Sequence, residues 1–128
     1  MPTIKDQIKE YLLNEGLRPQ EEDFGLFFRY QMLSFLIHWD KDDQHFLKIS
    51  LPSIFDVDEN NHVDALEAVN TVNIERKVIK ALVFNKKSVW ITAEQLLDTT
   101  PDYKDIIPRT LDMLLQGREC FYETLRNL

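Results

Sequence analysis

Apolar residues alternate with other residues between Phe24 and Trp39, and the alternation changes phase once. This feature constrains the fold of the chain more than any other. Apolar residues hold even positions and then odd positions, namely Phe24, Leu26, Phe28 and Tyr30, followed by Leu33, Phe35, Ile37 and Trp39. Alternation with a period of two is typical of a strand with one buried face. Because the stretch far exceeds the usual strand length of about five or six residues, and its phase changes at Gln31 and Met32, we predict two strands joined there by a tight hairpin or a bulge.

Three further strands follow from similar patterns. Apolar residues alternate from Leu47 to Leu51 until Pro52, which we expect to end that strand because proline cannot donate to a hydrogen-bonded ladder. The runs VIKALVF and VWITA are rich in β-branched residues and are separated by NKKS, which suits an exposed turn. These features predict a three-stranded meander and, later in the chain, a second hairpin.

Three segments have helical periodicity. The first begins at Thr3, a favourable capping residue, and ends at Gly16. The second runs from about Asp64, its expected cap, to Glu75. The third occupies the C-terminal part of the chain, where Pro108 either begins the helix or kinks it.

The predicted order is helix, three strands, helix, two strands, helix. This order, α-βββ-α-ββ-α, indicates one α+β domain over residues 1–128, with an antiparallel five-stranded sheet flanked by helices. With 22 acidic and 15 basic residues the net charge is −7, which opposes binding to nucleic acid. The single cysteine and the absence of about 18 consecutive apolar residues predict a cytoplasmic protein that does not enter a membrane.

The segment DVDENNHVDALE has the ligand spacing of a calcium-binding loop. Asn61 replaces the usual glycine, and a strand pattern precedes the loop where an EF-hand has a helix. Two of the acids also suit a helix cap and its partner three residues later. We therefore predict no metal site and keep a small-ligand or calcium-responsive sensor as the alternative, with the candidate ligands Asp56, Asp58, Asn60, Asp64 and Glu67.

No other pattern indicates chemistry. His38, His45 and His62 lack the spacing of metal ligands, and one cysteine cannot build a thiolate site. The sequence contains no glycine-rich phosphate loop and no nucleophile elbow. We therefore predict no catalytic residue, no cofactor and no enzymatic activity.

The face of the first hairpin away from the predicted core carries apolar side chains. Phe27, Leu36 and His38 share this face by their parity. Trp90 alternates with Val89 and Ile91 in a later strand, so that it faces outward near the sheet edge. Either a tail, loop or helix covers these side chains, or they form a surface for a protein or peptide partner or for a second copy of the chain. Phe27, Leu36, His38 and Trp90 are the candidate partner surface.

The central part of the chain resembles a known bacterial family. LSFLIHWDKDDQHFLKISLP, continuing into IFDVDENNHVDALEAVNTVNIERKVIKALVF, is similar to the YbjN family, described as candidate sensory transduction regulators with a fold like that of type III secretion chaperones. The resemblance spans about Ile4 to Leu125 and implies a helix-flanked, five-stranded antiparallel sheet. It does not imply an activity.

The paired asparagines of AVNTVN carry much of this resemblance. Asn70 and Asn73 lie one helical turn apart near a helix end, where amide side chains satisfy free backbone groups. We predict a structural clamp between this helix and the next strand, with partner binding as the alternative. Together the observations predict a non-enzymatic, chaperone-like or regulatory module that binds a polypeptide and is able to form a homodimer.

Overall fold

The computed structural model describes residues 3–128 as an α+β fold with one antiparallel sheet and three helices, which confirms the predicted class. The sheet has the strand order β1-β2-β3-β4-β6-β5. The elements are α1 (Ile4–Asn14), β1 (Gln20–Glu22), β2 (Gly25–Tyr30), β3 (Leu33–His38), β4 (Phe46–Asp56), α2 (His62–Glu75), β5 (Ile79–Phe84), β6 (Ser88–Leu96) and α3 (Tyr103–Arg126).

The sheet has six strands, so the predicted count of five and the order α-βββ-α-ββ-α are wrong. The additional strand is β1, which contains three residues, all of them polar and exposed. Such a strand has no apolar alternation to detect. It exists because its backbone pairs with β2, from Gln20 opposite Phe27 to Glu22 opposite Gly25.

The predicted hairpin between β2 and β3 is confirmed. Gln31 and Met32 form its two-residue turn with φ values of 51° and 67°, the left-handed conformation that a type I′ turn requires. This turn sets Phe28 opposite Phe35, so that the even residues of β2 and the odd residues of β3 enter the same core. The phase change in the sequence therefore follows from the register of this hairpin, in which even residues of β2 pair with odd residues of β3.

β4 continues past Pro52, so the predicted end of this strand is wrong. The pairing of β4 with β6 is regular as far as Leu51 opposite Ile91 and resumes at Phe55 opposite Val89. Pro52 and Ser53 lie in the interruption, and Ser53 has a φ of 51°. Because a bulge leaves residues unpaired, it accommodates a proline that a continuous ladder would reject.

The first helix begins and ends as predicted. Thr3 and Asp6 form a capping box, with the Asp6 N–H donating to Thr3 Oγ1 at 3.1 Å. Gly16 follows the helix with a φ of 77°, and the Leu17 N–H donates to the Leu12 carbonyl at 2.9 Å, which closes the helix end.

The second helix begins differently from the expectation, whereas the third agrees with one of the two alternatives left open at Pro108. The N-cap of α2 is Asn61, and Asp64 lies within the first turn, so the predicted cap is wrong. The loop before α2 is already held by side chains of Asp58 and Asn61, which moves the helix start upstream. In α3, Pro108 lies inside the helix, one residue after the buried Ile107.

All three helices cover one face of the sheet. On that face a row of paired, buried residues crosses five strands, namely Leu26, Ile37, Ile49, Ala93 and Ile79. α3 approaches this layer closely at Gly117, where an added Cβ would lie 2.3 Å from Ile79 Cδ1. Within residues 3–128, no helix combines the length and the apolar character needed to cross a membrane.

Candidate protein-interaction surface

The opposite face of the sheet, which we call the open face, is not covered by any of the three helices described. It is defined by residues that alternate with the buried row. Its central row consists of Phe27, Leu36, Ser50, Thr92 and Lys80, each opposite the next across neighbouring strands. The register of the sheet thus brings side chains from five strands onto one surface.

The structure places all four predicted surface residues on the open face. Phe27 and Leu36 are directly opposite each other, and His38 lies opposite Lys48. Trp90 lies on β6, across β4 from this group. β6 is the strand next to the edge strand β5, so Trp90 lies near a sheet edge, although β6 itself pairs with both β4 and β5.

Two apolar residues beside Trp90 on the open face were missed by sequence reasoning. Leu82 lies opposite Trp90, and the rings of Phe84 and Trp90 are 4.7 Å apart. Phe84 is 42% exposed, the most accessible aromatic residue of this group. The alternation of Lys80, Leu82 and Phe84 along β5 is the sequence feature that places these two residues on the open face.

A polar chain separates the two apolar groups. His38 Nε2 lies 3.2 Å from Ser50 Oγ, which lies 2.9 Å from Thr92 Oγ1, and Thr92 Oγ1 donates to the Ile49 carbonyl at 3.2 Å. Every bond is satisfied when Ser50 donates to Thr92 and the neutral His38 ring donates from Nε2. Burial, followed by the positive charge of Lys48, lowers the pKa of His38.

The polar chain supports a structural role more readily than a catalytic one. A nucleophilic serine needs a base to accept its proton, whereas here Ser50 donates to Thr92 Oγ1 and Thr92 in turn donates to the Ile49 carbonyl. Beside the chain, Lys80 and Glu94 form an ion pair at 2.5 Å, and the hydrogen bond from Lys80 holds the pKa of Glu94 below its usual range. The open face therefore combines two apolar groups with a polar centre.

The exposed edge of the sheet at β5 is closed at Ala81 by one side chain. Asn73 Oδ1 accepts the Ala81 N–H at 2.7 Å, and Asn73 Nδ2 donates to the Ala81 carbonyl at 3.1 Å. The amide thus occupies the outward backbone groups that an added strand would use. The clamp predicted for the paired asparagines is confirmed for Asn73, whereas Asn70 is exposed on the outer side of α2.

The acidic loop between β4 and α2 is organised by its own hydrogen bonds. Asp58 Oδ1 accepts the backbone N–H groups of Asn60 and Asn61 at 2.8 and 3.0 Å, and Asn61 Nδ2 donates to the Asp56 carbonyl at 3.0 Å. A strand precedes the loop, so the helix-loop-helix context is absent at this point.

The candidate calcium ligands are divided between three elements. Asp56 ends β4, Asp58 and Asn60 belong to the loop, and Asp64 and Glu67 are exposed on α2. In the part of the chain from residue 3 onward, no three His, Cys, Asp or Glu side chains converge as metal ligands.

Comparisons with known proteins establish the fold. No protein-family model and no curated protein matches the sequence. The structure is similar to that of YbjN from E. coli, described as a candidate transcription regulator, with a TM-score of 0.71, 12% identity, and coverage of 95% of this chain and 91% of that one. It is also similar to an uncharacterized protein from Methanothermobacter thermautotrophicus, with a TM-score of 0.69, 13% identity and 97% coverage of both chains.

Proposed function

We propose that this chain is a cytoplasmic, non-enzymatic member of the YbjN family that docks a polypeptide partner on the open face. The observation that carries the proposal is the pair of apolar groups on a sheet face that no described helix covers. Phe27 and Leu36 form one group, and Leu82, Phe84 and Trp90 form the other. Contiguous apolar patches bordered by polar residues mark interaction sites.

The closed β5 edge supports docking on the face of the sheet rather than addition of a strand. Strand addition needs free backbone groups along an edge, and Asn73 occupies those of Ala81. The opposite edge, β1, is only three residues long and contains Glu21 and Glu22. Short, charged edge strands disfavour pairing with another chain.

The similarity to E. coli YbjN agrees with a regulatory role, since that protein is described as a candidate transcription regulator. The acidic character of this chain favours regulation through a protein partner over direct contact with DNA. The resemblance to secretion chaperones, which is one of fold, supports the same class of activity, namely binding of a polypeptide without chemistry.

The decisive experiment compares captured proteins between matched variants. Leu36→Lys places a charge in the centre of the first apolar group, whereas Leu13→Lys places the same charge at an exposed leucine of α1. Affinity capture from the native cell with quantitative mass spectrometry should recover a partner with the wild type and Leu13→Lys and lose it with Leu36→Lys. Equal recovery with both variants, or an empty capture with all three proteins, would contradict docking on the open face.

A second surface favours self-association. The outer side of α2 carries Val63, Leu66 and Ile74, which are 67%, 44% and 74% exposed. Their spacing places them on the helix face opposite the buried residues of α2. In a two-fold antiparallel packing of this helix on its copy, Val63 of one chain would face Ile74 of the other, as an isologous interface requires.

Light scattering coupled to size-exclusion chromatography tests this homodimer. We expect a concentration-dependent dimer for the wild type and for Leu13→Lys, and a monomer for Ile74→Lys. A wild-type protein that stays monomeric at 100 μM, or a dimer that Ile74→Lys leaves intact, would contradict self-association through α2. Neither result would bear on the open face, because the variants affect separate surfaces.

A further inference from the structure

A groove of about 510 Å³ lies at the end of the β2–β3 hairpin that is remote from its turn. The first residues of α1, the segment before β2 and the loop after β3 form its walls. It meets the open face at His38 and at Phe46, the first residue of β4, while Trp39, Ile4 and Ile8 line it from the helix-covered side of the sheet. The groove is therefore a different site from the two apolar groups.

Aromatic side chains dominate the apolar part of the groove. Trp39, Phe24 and Phe46 line it together with Ile4 and Ile8 of α1. Phe24 is 40% exposed, so an aromatic face is accessible at the mouth. Aromatic rings attract cations as well as apolar groups, and tryptophan does so most strongly.

The groove already holds a cation from its own chain. The ammonium of Lys5 lies 5.6 Å from the centroid of the Trp39 ring. Lys5 is exposed at the beginning of α1 and forms no ion pair in the described part of the chain. A flexible, exposed side chain of this kind can leave the ring at little cost when a competing cation arrives.

Carboxylates line the same groove as this cation. Asp23, Asp40 and Asp43 line the groove, against the two lysines Lys5 and Lys41. Asp40 Oδ1 and Asp43 Oδ1 each accept one backbone N–H at 2.9 Å, which fixes the carboxylates and leaves their second oxygens available. Three carboxylates therefore line the groove against two lysines, and this balance of charge favours an additional cation.

We propose that this groove binds an arginine or lysine side chain of a polypeptide, with its cation over the Trp39 ring in place of the Lys5 ammonium. Apolar residues next to the basic residue would pack against Ile4, Ile8 and Phe24. Because Lys5 must leave the ring before the peptide binds, Lys5 should affect the affinity for the peptide without contacting it. This dependence distinguishes a cation site from a merely acidic surface.

The probe is acetyl-Leu-Arg-Leu-amide, compared with the peptide in which uncharged citrulline replaces arginine. The Nε1–H of Trp39 is buried without a hydrogen-bond partner in the described chain, so its resonance in a ¹⁵N–¹H correlation spectrum reports directly on the groove. The protein has two tryptophans, and a Trp39→Phe spectrum assigns the signal. We expect the arginine peptide to shift this resonance with a saturable titration and the citrulline peptide to leave it unchanged.

Three variants determine the mechanism. Lys5→Met removes the competing cation and should tighten peptide binding by about two- to fivefold, whereas Asp23→Asn should weaken it by a similar factor. Lys9→Met is the matched control, because it makes the same change in net charge on α1 outside the groove. Its effect should be clearly smaller than that of Lys5→Met.

Several results would overturn the cation site. These are equal shifts with both peptides, weaker binding by Lys5→Met, tighter binding of a peptide with glutamate in place of arginine, or equal effects of Lys5→Met and Lys9→Met. The thermal unfolding midpoint of each variant shows whether it is folded. Since none of these substitutions lies on the open face or on α2, the outcome is independent of the proposed function.

Discussion

Removing the amide of Asn73 should destabilise the protein through the sheet edge rather than through α2. Asn73→Ala deletes both hydrogen bonds to Ala81, which are 2.7 and 3.1 Å long. Such bonds contribute about 0.5–1.5 kcal/mol each, and water can reach part of this edge and replace some of the loss. We expect a decrease of about 1–2 kcal/mol in the free energy of unfolding, equivalent to roughly 4–8 °C in Tm for a chain of this size.

Asn70→Ala supplies the matched control, since it makes the same substitution one helical turn away at an exposed position. Alanine has a higher helix propensity than asparagine by about 0.5 kcal/mol, and this gain is common to both variants. The difference between them therefore isolates the clamp. Urea unfolding followed by circular dichroism measures both values, and a difference below 0.5 kcal/mol would refute the reasoning.

Asn73→Asp separates the two hydrogen bonds. A carboxylate can still accept the Ala81 N–H, but it cannot donate to the Ala81 carbonyl and repels it instead. At pH 7 we expect this variant to be at least as unstable as Asn73→Ala. Because a protonated carboxyl regains a donor, its deficit relative to Asn70→Asp should shrink when the pH falls towards 4.

Three further predictions follow from other parts of the molecule. Burial lowers the pKa of His38 below the ordinary 6.5, so the unfolded chain binds this proton at a higher pH than the folded protein. The contribution of His38 to stability should be fully present above about pH 6.5 and should decrease as the pH falls. Urea unfolding between pH 5 and 8 should show a smaller decrease for His38→Gln. Differential scanning calorimetry should show a strongly lowered Tm for Gly117→Leu, because even a Cβ at this position would lie 2.3 Å from Ile79 Cδ1. Since Ile79→Val removes this Cδ1 atom, Gly117→Ala combined with Ile79→Val should be more stable than Gly117→Ala alone. Calorimetric titration with micromolar calcium should give no heat, and heat that Asp56→Ala abolishes would instead support the calcium-responsive sensor.

Short sequence patterns predicted the features that depend on only a few neighbouring residues. The phase change at Gln31 and Met32 identified the β2–β3 hairpin because a single residue step reverses the side of the sheet on which every later side chain lies. The capping pair at Thr3 fixed the start of α1 for a similar reason, since cap and partner are three residues apart. The same parity argument placed Phe27 and Leu36 on the open face.

Features that depend on distant parts of the chain were not predicted. β1 has no apolar residue, and only its pairing with β2 makes it a strand. Pro52 normally ends a ladder, but the pairing of β4 with β6 resumes beyond it at Phe55. The position of β6 between β4 and β5 also depends on the pairing of distant segments, and no local pattern in the sequence predicts it.

The placement of polar residues in the middle of the open face limits what can bind there. Ser50 and Thr92 lie opposite each other at the centre of the sheet and are nearly inaccessible although they point away from the helices. Their hydroxyl groups satisfy one another and the Ile49 carbonyl, so this centre is stable without a partner. A flat apolar surface would gain little from covering it.

The sheet can therefore keep one face open because its apolar side chains are separated into two groups by a satisfied polar row. A ligand that fits must present apolar side chains at two separated positions, one for Phe27 and Leu36 and one for Trp90 and its neighbours, with polar groups between them. An extended segment with apolar residues at both ends meets this requirement, whereas a uniformly apolar helix would place methyl groups over His38. Under the proposed function, this pattern rather than total apolar area would determine which polypeptide the open face accepts.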